Sequence, residues 1–157
     1  MAIDPRVAPL LRLEIFQGLR PLQLTEVARR AERMVFREGQ VIVRAGTPGD
    51  GAFVIVSGDT LSLAHCDGQV QRRPVEPGSL IGELAMLIDH EYAVTVVAKG
   101  PVKALKITRE AMLDQMRDDP RLAEHLSARI TWRLTRLAEE LRTIDGVLAQ
   151  AASLQLA

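Results

Sequence analysis

Residues 82–98 read GELAMLIDHEYAVTVVA, and this is where the chain places residue types that could do chemistry. Gly82-Glu83-Leu84 opens what the pattern predicts as one helical turn. A helix start offers unpaired N–H donors and a partial positive charge, which together favour an anion. Gly82 leaves the backbone uncovered at that point. Such a cradle calls for a cation nearby, yet no Lys or Arg occurs between Gly82 and Ala98. His90 stands in the same loop, where it reads either as a source of partial charge or as a solvated loop residue. Taken alone, Gly82-Glu83 reads as an ordinary helix cap with an acid in its first turn.

No other constellation suggests a reaction centre. His65, His90 and His125 stand apart in sequence, whereas a metal oxygenase on a β-roll would need histidines at close spacing plus a carboxylate. His65 sits at a strand end before the Asp67-Gly68 turn, and no Ser or Cys has an identifiable base partner. We therefore expect neither a catalytic residue nor a metal site, and no enzyme.

The elements that must position Gly82-Glu83 fall into three parts. Residues 5–33 read as helical, with Pro21 at a first-turn position and Leu24, Val27, Ala28 and Ala31 on one face. From 34 to 107 the period drops to two. The apolar segments MVF, QVIVR, AFVIVSG, TLSLAHC, QVQRRPV, YAVTVVA and PVKALKI alternate with glycine-bearing turns. Asp67-Gly68 is the clearest hairpin signal. About seven or eight short strands with this punctuation predict a closed or double-sheet antiparallel roll, with a short helix inserted at 82–88.

From 108 on the pattern is helical again. Thr108 is a candidate N-cap, Pro120 marks a break, and a second helix starts near Arg121 and runs past 145. Along it Ile130, Leu134, Leu137, Leu141, Ile144, Leu148 and Ala151 alternate steps of four and three, a heptad seam over about three heptads. It reads as a two-helix homodimer contact or as a core helix docked on the roll. Gly146 costs roughly 1 kcal/mol in a helix interior, and Glu140 and Asp145 flank the seam where they would repel across a parallel pair. Arg129, Arg133, Arg136 and Arg142, alternating with Glu139, Glu140 and Asp145, read as a solvated face. The fold class is mixed α/β, mainly β: an antiparallel, double-sheet jelly-roll-like β-roll with N-terminal helices, a short inserted helix and a long C-terminal helix. Residues 1–120 form the roll with its flanking helices, and 121–157 form the dimerisation helix and tail within the same structural domain.

Composition narrows the class further. The chain has 157 residues, of which 47% are apolar and 3% aromatic, so its core must be aliphatic. Twenty basic residues balance twenty acidic ones, which argues against a broad nucleic-acid footprint. The single cysteine, Cys66, excludes an internal disulfide and suits a reducing compartment. The start MAIDPRVAPLLRLEIF, with Asp4 and Pro5, does not read as a signal peptide. No apolar run approaches the roughly 18 residues of a membrane span. A cytoplasmic protein is expected.

The order IFQGL, the glycines 39 and 46 around a strand pair, FVIVSG, and Gly78 leading to GEL resembles the cyclic-nucleotide-binding domain of catabolite-activator-like regulators and of cyclic-nucleotide-regulated kinases and channels. The resemblance covers roughly residues 13–140. It implies a β-roll with flanking helices and a cassette binding the phosphate of cAMP, cGMP or a related cyclic nucleotide, with no other cofactor. On that resemblance Gly82 and Leu84 present backbone donors, Glu83 accepts from the ribose 2′-hydroxyl, and Ala93 supplies a further phosphate contact.

The same carry-over places the family's phosphate arginine at Tyr92. A neutral hydroxyl replaces a charge-assisted, bidentate contact, so affinity should fall on the order of tenfold or more. Leu137 and Ala138 fall where the activator branch contacts the purine, with Thr135 the nearest hydroxyl. Regulators of the family continue into a helix-turn-helix module, whereas this sequence closes on the uncharged AQAASLQLA, so no direct DNA binding is expected. The expectation is a regulatory sensor domain, homodimeric through its last helix and acting on an effector protein. The alternative is a degenerate, non-binding dimerisation or docking scaffold.

Overall fold

The computed structural model describes residues 5–155; Asp4 of the opening segment and Leu156-Ala157 of the tail lie outside the described residues. Three helical pieces precede the sheets: α1 (Ala8–Leu11), a 3₁₀ turn (Glu14–Phe16) and α2 (Pro21–Arg30). The helical reading of 5–33 therefore overshoots. Gly18 breaks it with φ +91°, and Glu32 already begins a strand. Pro21 does open α2, the Gln23 side chain accepts from the Arg20 N–H at 2.9 Å, and Leu24, Val27 and Ala28 are buried.

Ten short strands follow: β1 (Glu32–Phe36), β2 (Val41–Val43), β3 (Pro48–Gly49), β4 (Gly51–Ser57), β5 (Thr60–Cys66), β6 (Gln69–Val75), β7 (Leu80–Ile81), β8 (His90–Glu91), β9 (Thr95–Ala98) and β10 (Val102–Thr108). One sheet has the order β1-β10-β4-β7 and the other β2-β9-β5-β6, while β3 and β8 form a separate two-residue bridge. All pairings are antiparallel. The hairpin at Asp67-Gly68 joins β5 to β6 with both residues at positive φ, 52° and 76°, as a type I′ turn requires.

Period-two alternation decides where the core sits. On β4, Ala52 and Val54 face the helices, and Phe53 and Ile55 face the opposite sheet. β10 does the same with Leu105 and Ile107 against Val102 and Ala104. The central strand β4 is thus buried on both faces along residues 51–55, which explains why AFVIV is apolar without a break.

After β10 the Thr108 hydroxyl accepts from the Ala111 N–H at 3.2 Å and caps α3 (Arg109–Asp118). Pro120 opens α4 (Pro120–Gln155), a 36-residue helix that continues through Gly146. Leu122 and Leu126 anchor its first turns in the core, and Ile130 packs against them. Leu134 and Leu137 still border the roll, and beyond Leu137 the helix leaves it. Leu134, Leu137, Leu141, Ile144 and Leu148 are each more than half exposed.

Candidate functional site

Between the second sheet, the 82–88 segment and α4 lies a cavity of about 300 Å³. Val43, Ile81, Val94, Ile130, Leu134 and Leu137 make its walls aliphatic, and Glu83, His90, Glu91, Tyr92 and Arg133 bring polar groups to it. Gly82, Leu84 and Ala93 also line it, so the structure brings together all five residues expected to bind a ligand. Ala93 is not on a strand, however. The chain bends at 93–94 and β9 begins only at Thr95.

The short helix expected at 82–88 is a single 3₁₀ turn, Glu83–Met86. Gly82 precedes it at φ +75°. Its lack of a side chain also makes room for Tyr92: a Cβ here would stand 2.6 Å from Cε1 of that ring. Gly49 meets the same ring, where a Cβ would lie 2.9 Å from Cζ and 2.6 Å from the Ala85 methyl. Two glycines thus make a slot for one phenol.

At the end of that slot the Tyr92 hydroxyl donates to the Gly51 carbonyl oxygen at 2.7 Å. Its backbone is fixed as well: the Tyr92 N–H donates to Thr47 O at 3.1 Å, and Gly46 N–H donates to Tyr92 O at 2.9 Å. Burial raises the phenol pKa above its ordinary 10.0, and the nearby Asp50 carboxylate adds to the rise. Tyr92 therefore remains a neutral donor already committed to the backbone.

Sequence reasoning missed two arginines. Arg109, first residue of α3, sends Nη1 to the carbonyl oxygens of Gly49 (2.8 Å), Ile88 (3.0 Å) and Ala85 (3.2 Å). One guanidinium thereby ties the β3 loop to the 3₁₀ turn. Arg133, assigned to a solvated face, instead reaches the cavity and pairs with the Glu83 carboxylate. Arg129 also turns inward, donating to Gln17 O at 3.2 Å, while Arg136 stacks over Trp132. The signal for Arg133 was available: it lies three residues after Ile130 and four before Leu137, on the flank of the apolar face. Leu137 lines the cavity as well as the exposed seam. Thr135 does not reach it, since its hydroxyl bonds back to Thr131 O at 2.8 Å.

The sequence profile of the cyclic nucleotide-binding domain matches residues 33–119, more than half of the chain. The chain belongs to that family. It is 40% identical over 100 residues to "Acetyltransferase Pat" of Mycolicibacterium smegmatis, covering 63% of this chain and 30% of the relative. It is 35% identical over 98 residues to a cAMP-dependent protein kinase regulatory subunit of Mucor circinelloides f. lusitanicus, covering 62% of this chain and 23% of the relative. The chain thus spans less than a third of the length of either relative. The N-terminal domain of a transcriptional regulator from Streptomyces coelicolor A3(2) superposes with TM-score 0.77 at 24% identity, covering 85% of this chain and 94% of that one, and so shares the fold. Among the described residues of this cyclic nucleotide-binding domain, no helix is long and apolar enough to cross a membrane.

Proposed function

We propose that this domain is a regulatory sensor that takes a cyclic nucleotide or similar nucleotide-like anion, bound atypically because Tyr92 stands where its family's resemblance implies an arginine. The observation that carries the reading is a cavity with Glu83 at its wall and the start of the exposed part of α4 as its lid. A ligand there touches Leu134 and Leu137, so its arrival acts on the helix that leaves the roll. The signal passes through α4 to a second copy of the chain and on to an effector protein, with the domain itself doing no chemistry.

The second reading is a scaffold that binds no nucleotide. It is favoured by the Tyr92 phenol, which fills the slot beside Gly82 and has its hydroxyl engaged. Calorimetric titration of the unaltered chain with cAMP, cGMP and cyclic dinucleotides separates the two. The sensor reading expects saturable binding of at least one of them, tightened on the order of tenfold or more in Tyr92→Arg as a charged donor is added where the engaged phenol offers none. Absence of binding in both proteins leaves the scaffold.

A further inference from the structure

We propose that Arg133 supplies the positive charge for the anionic group of this domain's ligand, from the long helix rather than from the loop at Tyr92. The assignment rests on the nucleotide reading above and names the residue that makes it chemically workable. Among the described residues Arg133 is the only Arg or Lys lining the cavity. Tyr92 cannot replace it, because its hydroxyl is bonded to Gly51 O and its ring packs closely against Gly49 and Gly82.

Glu83 holds Arg133 at the cavity wall. The arginine side chain is 54% exposed and the glutamate 22%, so water screens the pair and makes it inexpensive to exchange. A guanidinium fork matches two oxygens of a phosphate as well as those of a carboxylate. A ligand carrying a phosphate beside a hydroxyl satisfies both partners at once: Arg133 moves from Glu83 to the phosphate, and the released carboxylate accepts a hydrogen bond from the hydroxyl. A ligand with an anion and no neighbouring hydroxyl would leave Glu83 without a partner, which disfavours it. The exchange also takes place on α4, one residue from Leu134, so the same event that binds the ligand loosens the tie between α4 and the 3₁₀ turn.

The test is calorimetric titration of the full chain with cAMP, cGMP and cyclic dinucleotides for the unaltered protein, Arg133→Ala, Arg133→Gln, Arg133→Lys and Arg136→Ala, each first shown folded by circular dichroism. Arg133→Ala and Arg133→Gln should weaken binding at least about tenfold and Arg133→Lys less, since it keeps the charge without the fork. Arg136→Ala, which removes a charge one turn along but off the cavity, should stay within about twofold. The Gln variant keeps a long side chain and answers the question if Ala perturbs the helix. Binding that survives both Arg133→Ala and Arg133→Gln within about twofold overturns the role of Arg133 while leaving the nucleotide reading intact. An unaltered chain that binds none of cAMP, cGMP and the cyclic dinucleotides up to about 1 mM removes the nucleotide reading itself, and this assignment with it.

Discussion

The Tyr92 hydroxyl donates a 2.7 Å hydrogen bond to the carbonyl oxygen of Gly51. That bond joins the loop before β9 to the start of β4, the strand buried on both faces, across a separation of 41 residues. The aromatic ring at this position is therefore structural, seated in a slot made by the absence of side chains at Gly49 and Gly82.

Removing only the hydroxyl isolates the bond. Tyr92→Phe keeps the ring and leaves Gly51 O without this donor, so it should cost about 1–2 kcal/mol in urea unfolding. A variant as stable as the unaltered chain would show that water replaces the phenol at Gly51.

The same phenol gives a pH signature. Its pKa is raised in the folded chain, first by burial and then by Asp50. A raised pKa favours the protonated form in the fold, so the associated stability is fully present below pH 10.0, the ordinary value, and is lost as pH rises through the folded value. The chain has one tyrosine, so phenolate absorbance reports Tyr92 alone. Its midpoint should lie above 10.0 in the folded protein and return to that value in denaturant. Coincident curves would show that the phenol is not held in its slot.

Gly82 and Tyr92 should be energetically coupled. Gly82→Ala meets two penalties: a left-handed backbone costing about 1–2 kcal/mol and a methyl driven into the ring, costing about 1–3 kcal/mol more. In a Tyr92→Ala background only the backbone penalty remains. A double-mutant cycle by urea unfolding should therefore show coupling of about 1–3 kcal/mol. Additive effects would place the Tyr92 ring elsewhere.

Much of this arrangement was legible in the chain, because it is encoded locally. Alternation marked the long strands, Asp67-Gly68 marked the hairpin, and Thr108 and Pro120 marked where α3 and α4 begin. The bridges β3, β7 and β8 were not legible, since two residues carry no period. Likewise, the glycines at 49 and 82 could be read as turn or cradle residues, but not as two walls of one slot. Arg109 and Arg133 were missed for a related reason. They act on carbonyls and a carboxylate 21 to 60 positions away. Which arginine of a helical stripe turns inward depends on the rotation of α4, and that is fixed by the seating of Leu122, Leu126 and Ile130 in the core.

Arg109 should control the order of the cassette rather than its charge. Its Nη1 meets three backbone carbonyls that face each other across the β3 loop and the 3₁₀ turn. Arg109→Ala should destabilise the fold by about 2–3 kcal/mol, because it leaves carbonyl groups short of a charged donor. Amide exchange should quicken at 83–88 before it does on β4 and β10. Exchange that quickens uniformly over the whole roll would make Arg109 a general stabiliser instead.

The proposed pairing through α4 has its own test, chosen away from the cavity. Leu134 and Leu137 border the cavity, whereas Leu141 and Ile144 lie beyond it on the exposed seam. In a two-helix contact each seam leucine packs against its symmetry mate, so one substitution is felt twice. Leu141→Glu would bring two carboxylates together in an apolar seam, at a cost of several kcal/mol after burial. Light scattering should give the unaltered chain twice the 17.3 kDa chain mass and Leu141→Glu the single mass, while Arg142→Glu, adjacent but off the seam, should remain paired. If the unaltered chain is a monomer at concentrations well above micromolar, α4 projects for a different partner and the homodimer is discarded.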